Sequence, residues 1–140
     1  MRKILVPVDG SEAAEHAVRH AIEAARRDGD TTIVLLNVQH ALERWYKHGL
    51  MNEEALHHLR DQGEEESTAA RALLDEAGVV YDFDIVFGPA AEVIVRLAKE
   101  RGCEEIVMGT RGLGDVENAF LGSVAHRVIQ LAELPVTLVK

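Results

Sequence analysis

Gly109, Gly112, Gly122 and Ser123 have the residue types and the spacing to hold an anion. The first two lie in Gly109-Thr110-Arg111-Gly112-Leu113-Gly114, just past the apolar run Ile106–Met108. The last two open an apolar-periodic segment that continues Val124-Ala125-His126-Arg127-Val128. A helix beginning at Gly122-Ser123 would aim orphan N–H groups, carrying roughly half a unit of positive charge, at whatever precedes it. Glycines would let backbone amides approach a phosphate with no Cβ in the way. Ser123 adds a hydroxyl and Arg111 a candidate cation. The competing reading is turn chemistry, with glycines shaping a loop and Ser123 serving as an ordinary helix cap.

Two other phosphate loops are excluded. G-x-G-x-x-G has its gaps in the opposite order to Gly109, Gly112 and Gly114. The G-x4-G-K-[ST] loop needs a lysine where Asp115 stands, and a carboxylate there would repel the phosphate. No acid/base pair presents itself, so the sequence supports at most slow hydrolysis, with Asp9 as the lone candidate base. His16 and His20 have metal-ligand spacing on a helix, but they share a face with Arg19, Glu23 and Arg27 and have no third ligand. No metal site is expected there, nor at His40, His48, His57, His58 or His126. Cys103 is the single cysteine, which rules out an internal disulfide. Its neighbours Glu104 and Glu105 are expected to disfavour the thiolate.

The elements that must position these residues follow from periodicity. Lys3–Val8 reads as a buried strand with Pro7 near its end. Ser11 caps a helix whose stripe is Ala14, Ala17, Val18, Ala21, Ile22 and Ala25, and Gly29 stops it. Thr31–Val38 is a second strand. A helix starts near Asn52 and ends at Gly78. Val79–Phe87 alternates around Tyr81, Phe83 and Ile85, which suggests a more exposed sheet edge. Pro89 starts a third helix, buried through Val93, Ile94, Leu97 and Ala98. Glu104–Gly109 is a strand, Ser123–Glu133 a helix, and Pro135–Lys140 a last strand. The β-α alternation implies a parallel sheet covered on both faces. Ligands of such sheets bind beyond the strands' carboxyl ends, where the winding reverses. The turn Val8-Asp9-Gly10-Ser11 and the loop after Gly109 would face that crevice. The connection holding Trp45, Tyr46 and Met51 admits three readings: a lid, a partner surface or plain packing.

Composition bounds the rest. The 140 residues are 47% hydrophobic and 28% charged, which suits one domain, 1–140, with a real core. A net charge of -9 is the opposite of a nucleic-acid footprint and would be repelled by an anionic membrane. No apolar run approaches the roughly 20 residues of a membrane span, and the apolar run after the basic start is too short for a signal peptide and meets Asp9 at once. A cytoplasmic protein is expected.

With the elements in place, "ILVPVDGSE" at the start, "GTRGLG…LGSVAHRV" near the end and the final "LPVTLVK" make the whole chain resemble the universal stress protein family. G-x2-G-x9-G-S after a strand is the specific part of the match. The resemblance implies a doubly wound α/β domain with a five-stranded parallel sheet in the order 3-2-1-4-5. It implies a stress-response regulator that binds ATP, or AMP or ADP, with Mg²⁺ or Mn²⁺ carried by the nucleotide and little or no catalysis. Another branch of the family binds no nucleotide and leaves a dimeric interaction protein. Carried over, Asp9 would lie near adenine and Val38 would line that pocket. Gly109, Arg111, Gly112, Gly122, Ser123 and Val124 would meet ribose and phosphates, and Pro7, Val8, Ser11 and Met108 complete the expected set. Asp115 and Glu117 depart from the pattern and should weaken a triphosphate more than a monophosphate. The resemblance also implies a homodimer through the edge strand Val136–Val139, neither face of which carries a charge.

Overall fold

A computed structural model of the chain describes residues 1–39, 47–49, 52–111 and 121–140. β1 (Arg2–Pro7) is apolar on both sides, as a strand covered on both faces must be. The hydroxyl of Ser11 accepts from the Ala14 N–H at 3.2 Å and starts α1 (Glu12–Asp28), which ends at Gly29 with φ 64°. The helix buries the alanine-rich stripe read from its periodicity. β2 (Thr31–Gln39) follows. α2 (Glu53–Ala77) is capped by Asn52, whose side chain accepts from the Ala55 N–H at 2.8 Å, and closes on left-handed Gly78. β3 (Tyr81–Phe87), α3 (Ala90–Glu100), β4 (Glu105–Gly109), α4 (Ser123–Leu131) and β5 (Val136–Val139) complete the alternation. Pro89 is the N-cap of α3 rather than part of its first turn.

The strands form one sheet in the order β3-β2-β1-β4-β5, with every pairing parallel. Alternate residues feed two cores. Ile4, Val6, Ile33, Leu35 and Val107 pack with the buried faces of α1 and α2. Leu5, Val34, Leu36, Ile106 and Met108 pack with α3 and α4. The winding reverses between β1 and β4. Those strands are in register only at Ile4↔Glu105 and Leu5↔Ile106, so their carboxyl ends part beyond that point.

The two edges differ. β3 carries Asp82 and Asp84, and the Arg71 guanidinium covers its Phe83 ring at 4.5 Å. β5 carries no charge. At the opposite end of the sheet, the Arg2 guanidinium binds Asp28 of α1 and Glu105 of β4, with Glu104 at 3.6 Å. No helix among the described residues is long and apolar enough to cross a membrane.

Candidate functional site

The parting of β1 from β4 leaves a crevice of about 190 Å³ at the carboxyl ends of the strands. Pro7 lines it from the end of β1 and Val8 from just past it, Met108 and Gly109 from β4, and Val38 from β2. Asp9 and Arg111 come from the loops, and Gly122, Ser123 and Val124 from the start of α4. Of the residues expected from the sequence, Ser11 does not line this space. It is buried and spends its hydroxyl on the α1 cap. Gly112 lies outside the described residues, as do Asp115, Glu117, Trp45, Tyr46 and Met51. The crevice also takes in Ala14, Ala90, Ile94, Thr110 and Ala125, which the sequence reading did not single out. Ile94 was legible as part of the apolar stripe of α3. Thr110 had only its place beside Gly109 to mark it.

The amino end of α4 decides between the two readings of Ser123. Gly122, at φ -67° and ψ 155°, is the N-cap, and among the described residues no side-chain cap bond is made there. Ser123 is therefore the first helical residue and not a cap. The first bond into the helix runs from the His126 N–H to the Gly122 carbonyl at 2.9 Å. The N–H groups of Ser123, Val124 and Ala125 consequently have no intrahelical acceptor. They stand at the crevice with the positive end of the helix dipole behind them. The Gly122 N–H is not among them, because it donates to the Thr110 carbonyl at 2.6 Å.

Gly109, which lines the crevice, has a packing reason beside the one spacing suggested. A Cβ at this position would lie 2.8 Å from the Ala13 carbonyl carbon and 2.9 Å from the Ala13 Cβ. The glycine is required for the first turn of α1 to rest on the end of β4. On the other side, Asp9 accepts the Ser11 N–H on Oδ1 at 2.9 Å, a side-chain turn that holds the carboxylate at the crevice while α1 begins. Gly10 adopts φ 86° between them, which suits glycine.

Beneath this turn the structure holds a buried polar group that the sequence reading missed. Asn37 and Gln39 are almost fully buried on β2, facing the α1/α2 side. Two amides at i and i+2 in an otherwise apolar strand were its only signal.

Other candidates resolve differently. His16 Nδ1 lies 2.7 Å from the Lys140 carbonyl oxygen, and its Nε2 lies 3.8 Å from Glu12. Among the described residues no group of three or more His, Cys, Asp or Glu could hold a metal. The Cys103 thiol is pushed up from its ordinary pKa, but by burial and not by the adjacent acids; Lys3 and Arg101 pull it the other way.

The fold and crevice together define an open, doubly wound α/β protein with its crevice at the reversal of winding, where ligands of such sheets bind. Comparison with known proteins narrows that class. The model of the universal stress protein family matches residues 1–140, and the chain belongs to that family. It is 34% identical to universal stress protein MJ0531 of Methanocaldococcus jannaschii, over 99% of this chain and 82% of the relative. The solved structure of MJ0577 from the same organism superposes with a TM-score of 0.85 at 30% identity, covering 99% and 95% of the two chains. A universal stress protein from Archaeoglobus fulgidus, solved in complex with dAMP, shares the fold at a TM-score of 0.74 and 24% identity, covering 100% of this chain and 98% of its own.

Proposed function

We propose that the chain is a regulatory module that binds an adenine nucleotide in this crevice without rapid turnover. The observation that carries the reading is the start of α4, with Gly122 as its N-cap, facing the same space as Asp9. A protein of net charge -9 does not attract an anion globally, so a phosphate needs local donors. The three N–H groups of Ser123, Val124 and Ala125 supply them, with the Ser123 hydroxyl alongside. Arg111 stands at the same mouth. Asp9 offers acceptors for the exocyclic amine of adenine, and Val38, Met108 and Ile94 offer apolar surface for the ring. The dAMP held by the Archaeoglobus fulgidus protein is consistent with this assignment. ATP, ADP and AMP all present the required groups, and Mg²⁺ or Mn²⁺ would arrive on the polyphosphate. Gly112 belongs to the same proposed cradle on its sequence position.

The proposal extends to assembly. The hydrogen bonds from the Ile106 N–H to the Pro135 carbonyl and from the Thr110 N–H to the Val139 carbonyl show which side of β5 faces β4. In a parallel ladder, Val136 and Leu138 then direct their backbone groups to the open edge. That edge suits pairing with a second copy across a two-fold axis.

Native purification followed by nucleotide extraction tests the central reading, with calorimetric titration of AMP, ADP and ATP, with and without Mg²⁺. Co-purified or titratable adenine nucleotide is expected. A chain that neither retains nor binds any of the three is an interaction protein with a vestigial crevice.

A further inference from the structure

The turn that presents Asp9 is held from below by a side chain. The Val8 N–H makes a last ladder bond to the Leu36 carbonyl at 2.8 Å, after which β1 leaves the sheet. The Val8 carbonyl is instead taken by Asn37 Nδ2 at 2.9 Å. The side chain of Asn37 thus extends the ladder one step beyond the strand. Its amide is fixed on both ends. Nδ2 also donates to Glu66 Oε1 at 3.2 Å, and Oδ1 accepts from Gln39 Nε2 at 2.8 Å. Gln39 Nε2 reaches the same Glu66 oxygen at 3.2 Å. Turning the Asn37 amide over would set its oxygen against two acceptors, so its orientation is determined by its neighbours.

α2 is built to bring Glu66 to this place. Gly63, one turn earlier, lies so close to β2 that a Cβ there would come within 2.8 Å of Asn37 Oδ1 and 3.0 Å of Ile85. Glu66 also meets the turn directly, because a Cβ on Gly10 would sit 3.5 Å from its Cα, Cβ and Cγ. Residues from β2 and α2 therefore converge on the two peptides that flank Asp9.

We propose that Asn37, oriented by Gln39 and Glu66, is a positioning residue that sets the Asp9 carboxylate for adenine and so confers selectivity for the 6-amino purine. The inference rests on the nucleotide reading above. A hypoxanthine ring presents a keto oxygen where adenine presents an amine, and a carboxylate held at that edge rejects it. Releasing the turn removes the discrimination and leaves the phosphate contacts of α4 intact.

The test is calorimetric titration of AMP and IMP against wild-type protein and the variants Asn37→Leu, Glu66→Ala and Glu66→Gln. Wild type is expected to prefer AMP. In Asn37→Leu and Glu66→Ala, AMP affinity should fall about five- to tenfold, the scale of one lost hydrogen bond, with IMP affinity unchanged. Glu66→Gln keeps an acceptor oxygen while losing the charge, so it should retain the preference. Glu66 is only partly buried on a helix, so Glu66→Ala carries the test if Asn37→Leu does not fold. Equal losses for AMP and IMP would overturn the positioning role, as would an unaltered AMP preference in Glu66→Ala. A Glu66→Gln variant that behaves like Glu66→Ala would reduce the effect to charge and overturn it too. Wild-type protein that binds neither nucleotide would instead remove the nucleotide reading itself.

Discussion

Gly109 rests against Ala13, with 2.8 Å between the place a Cβ would occupy and the Ala13 carbonyl carbon. The end of the inner strand β4 and the first turn of α1 are thereby in close contact, and the crevice opens beside them. Any side chain at position 109 has to push the helix outward.

Gly109→Ala is accordingly expected to destabilise the fold by about 1–3 kcal/mol, the usual cost of overpacking. Denaturant unfolding should show a lower midpoint with an unchanged slope. An unshifted midpoint would mean that α1 yields without cost.

Ser123→Pro removes the amide donor together with the hydroxyl, whereas Ser123→Ala removes the hydroxyl alone, so the pair separates the amide from the side chain. As the first helical residue, Ser123 occupies the position where proline is best tolerated, and Gly122 before it is already extended. The proline variant should fold with near-normal stability but lack the amide donor that Ser123→Ala keeps. A charge-assisted hydrogen bond of about 1.5–3 kcal/mol corresponds to at least a tenfold weaker nucleotide. Calorimetry giving wild-type affinity would remove the α4 amino terminus from the site.

Thr137→Lys tests the dimer edge without entering the core. Val136 and Leu138 pack against the α3/α4 core, so charges there would damage the monomer itself. The Thr137 hydroxyl instead donates to Glu105 Oε2 at 2.9 Å, and a lysine would keep a partner in that carboxylate. Two copies paired across a two-fold axis would bring their lysines together, which is unfavourable. Light scattering should report a folded monomer; a persistent dimer mass would place the interface elsewhere.

Cys103 supplies a pH dependence. Burial raises its thiol pKa in the folded state, so the unfolded chain releases this proton first as pH rises. The stability it contributes is complete below the unfolded thiol's value, about 8.5, and is lost as pH rises through the folded value. Cys103→Ser should flatten that alkaline slope. The same burial predicts alkylation of the native protein more slowly than of a free thiol. Rapid labelling at neutral pH would contradict it.

The architecture was legible because its signals are local. Ser11, Asn52, Gly29 and Gly78 mark helix ends through bonds to residues a few positions away, and the two-sided apolar strands announce a covered parallel sheet. Much of the crevice lining was legible too, because the turn after β1 and the loop after β4 meet wherever those strands are neighbours. The reasons for particular residues were less accessible. Gly109 makes room for Ala13, a contact created only when α1 docks on β4. Asn37 and Glu66 meet across β2 and α2, and neither carries a local pattern that names the other. For Cys103 the direction of the shift was readable from the sequence but its cause was not, since burial of a residue after a helix depends on what packs over it.

The bond between the Thr110 carbonyl and the Gly122 N–H has an evolutionary consequence. It ties Thr110 to Gly122, so an excursion of any length between them is closed at its base. The entropy of closing such an excursion grows only logarithmically, with each doubling of length costing about 0.6 kcal/mol. Insertions, deletions and wholesale exchange of sequence there leave the register of α4 and β5 untouched. Sequence there can therefore drift, or be exchanged by grafting, while the sheet beneath keeps its own history.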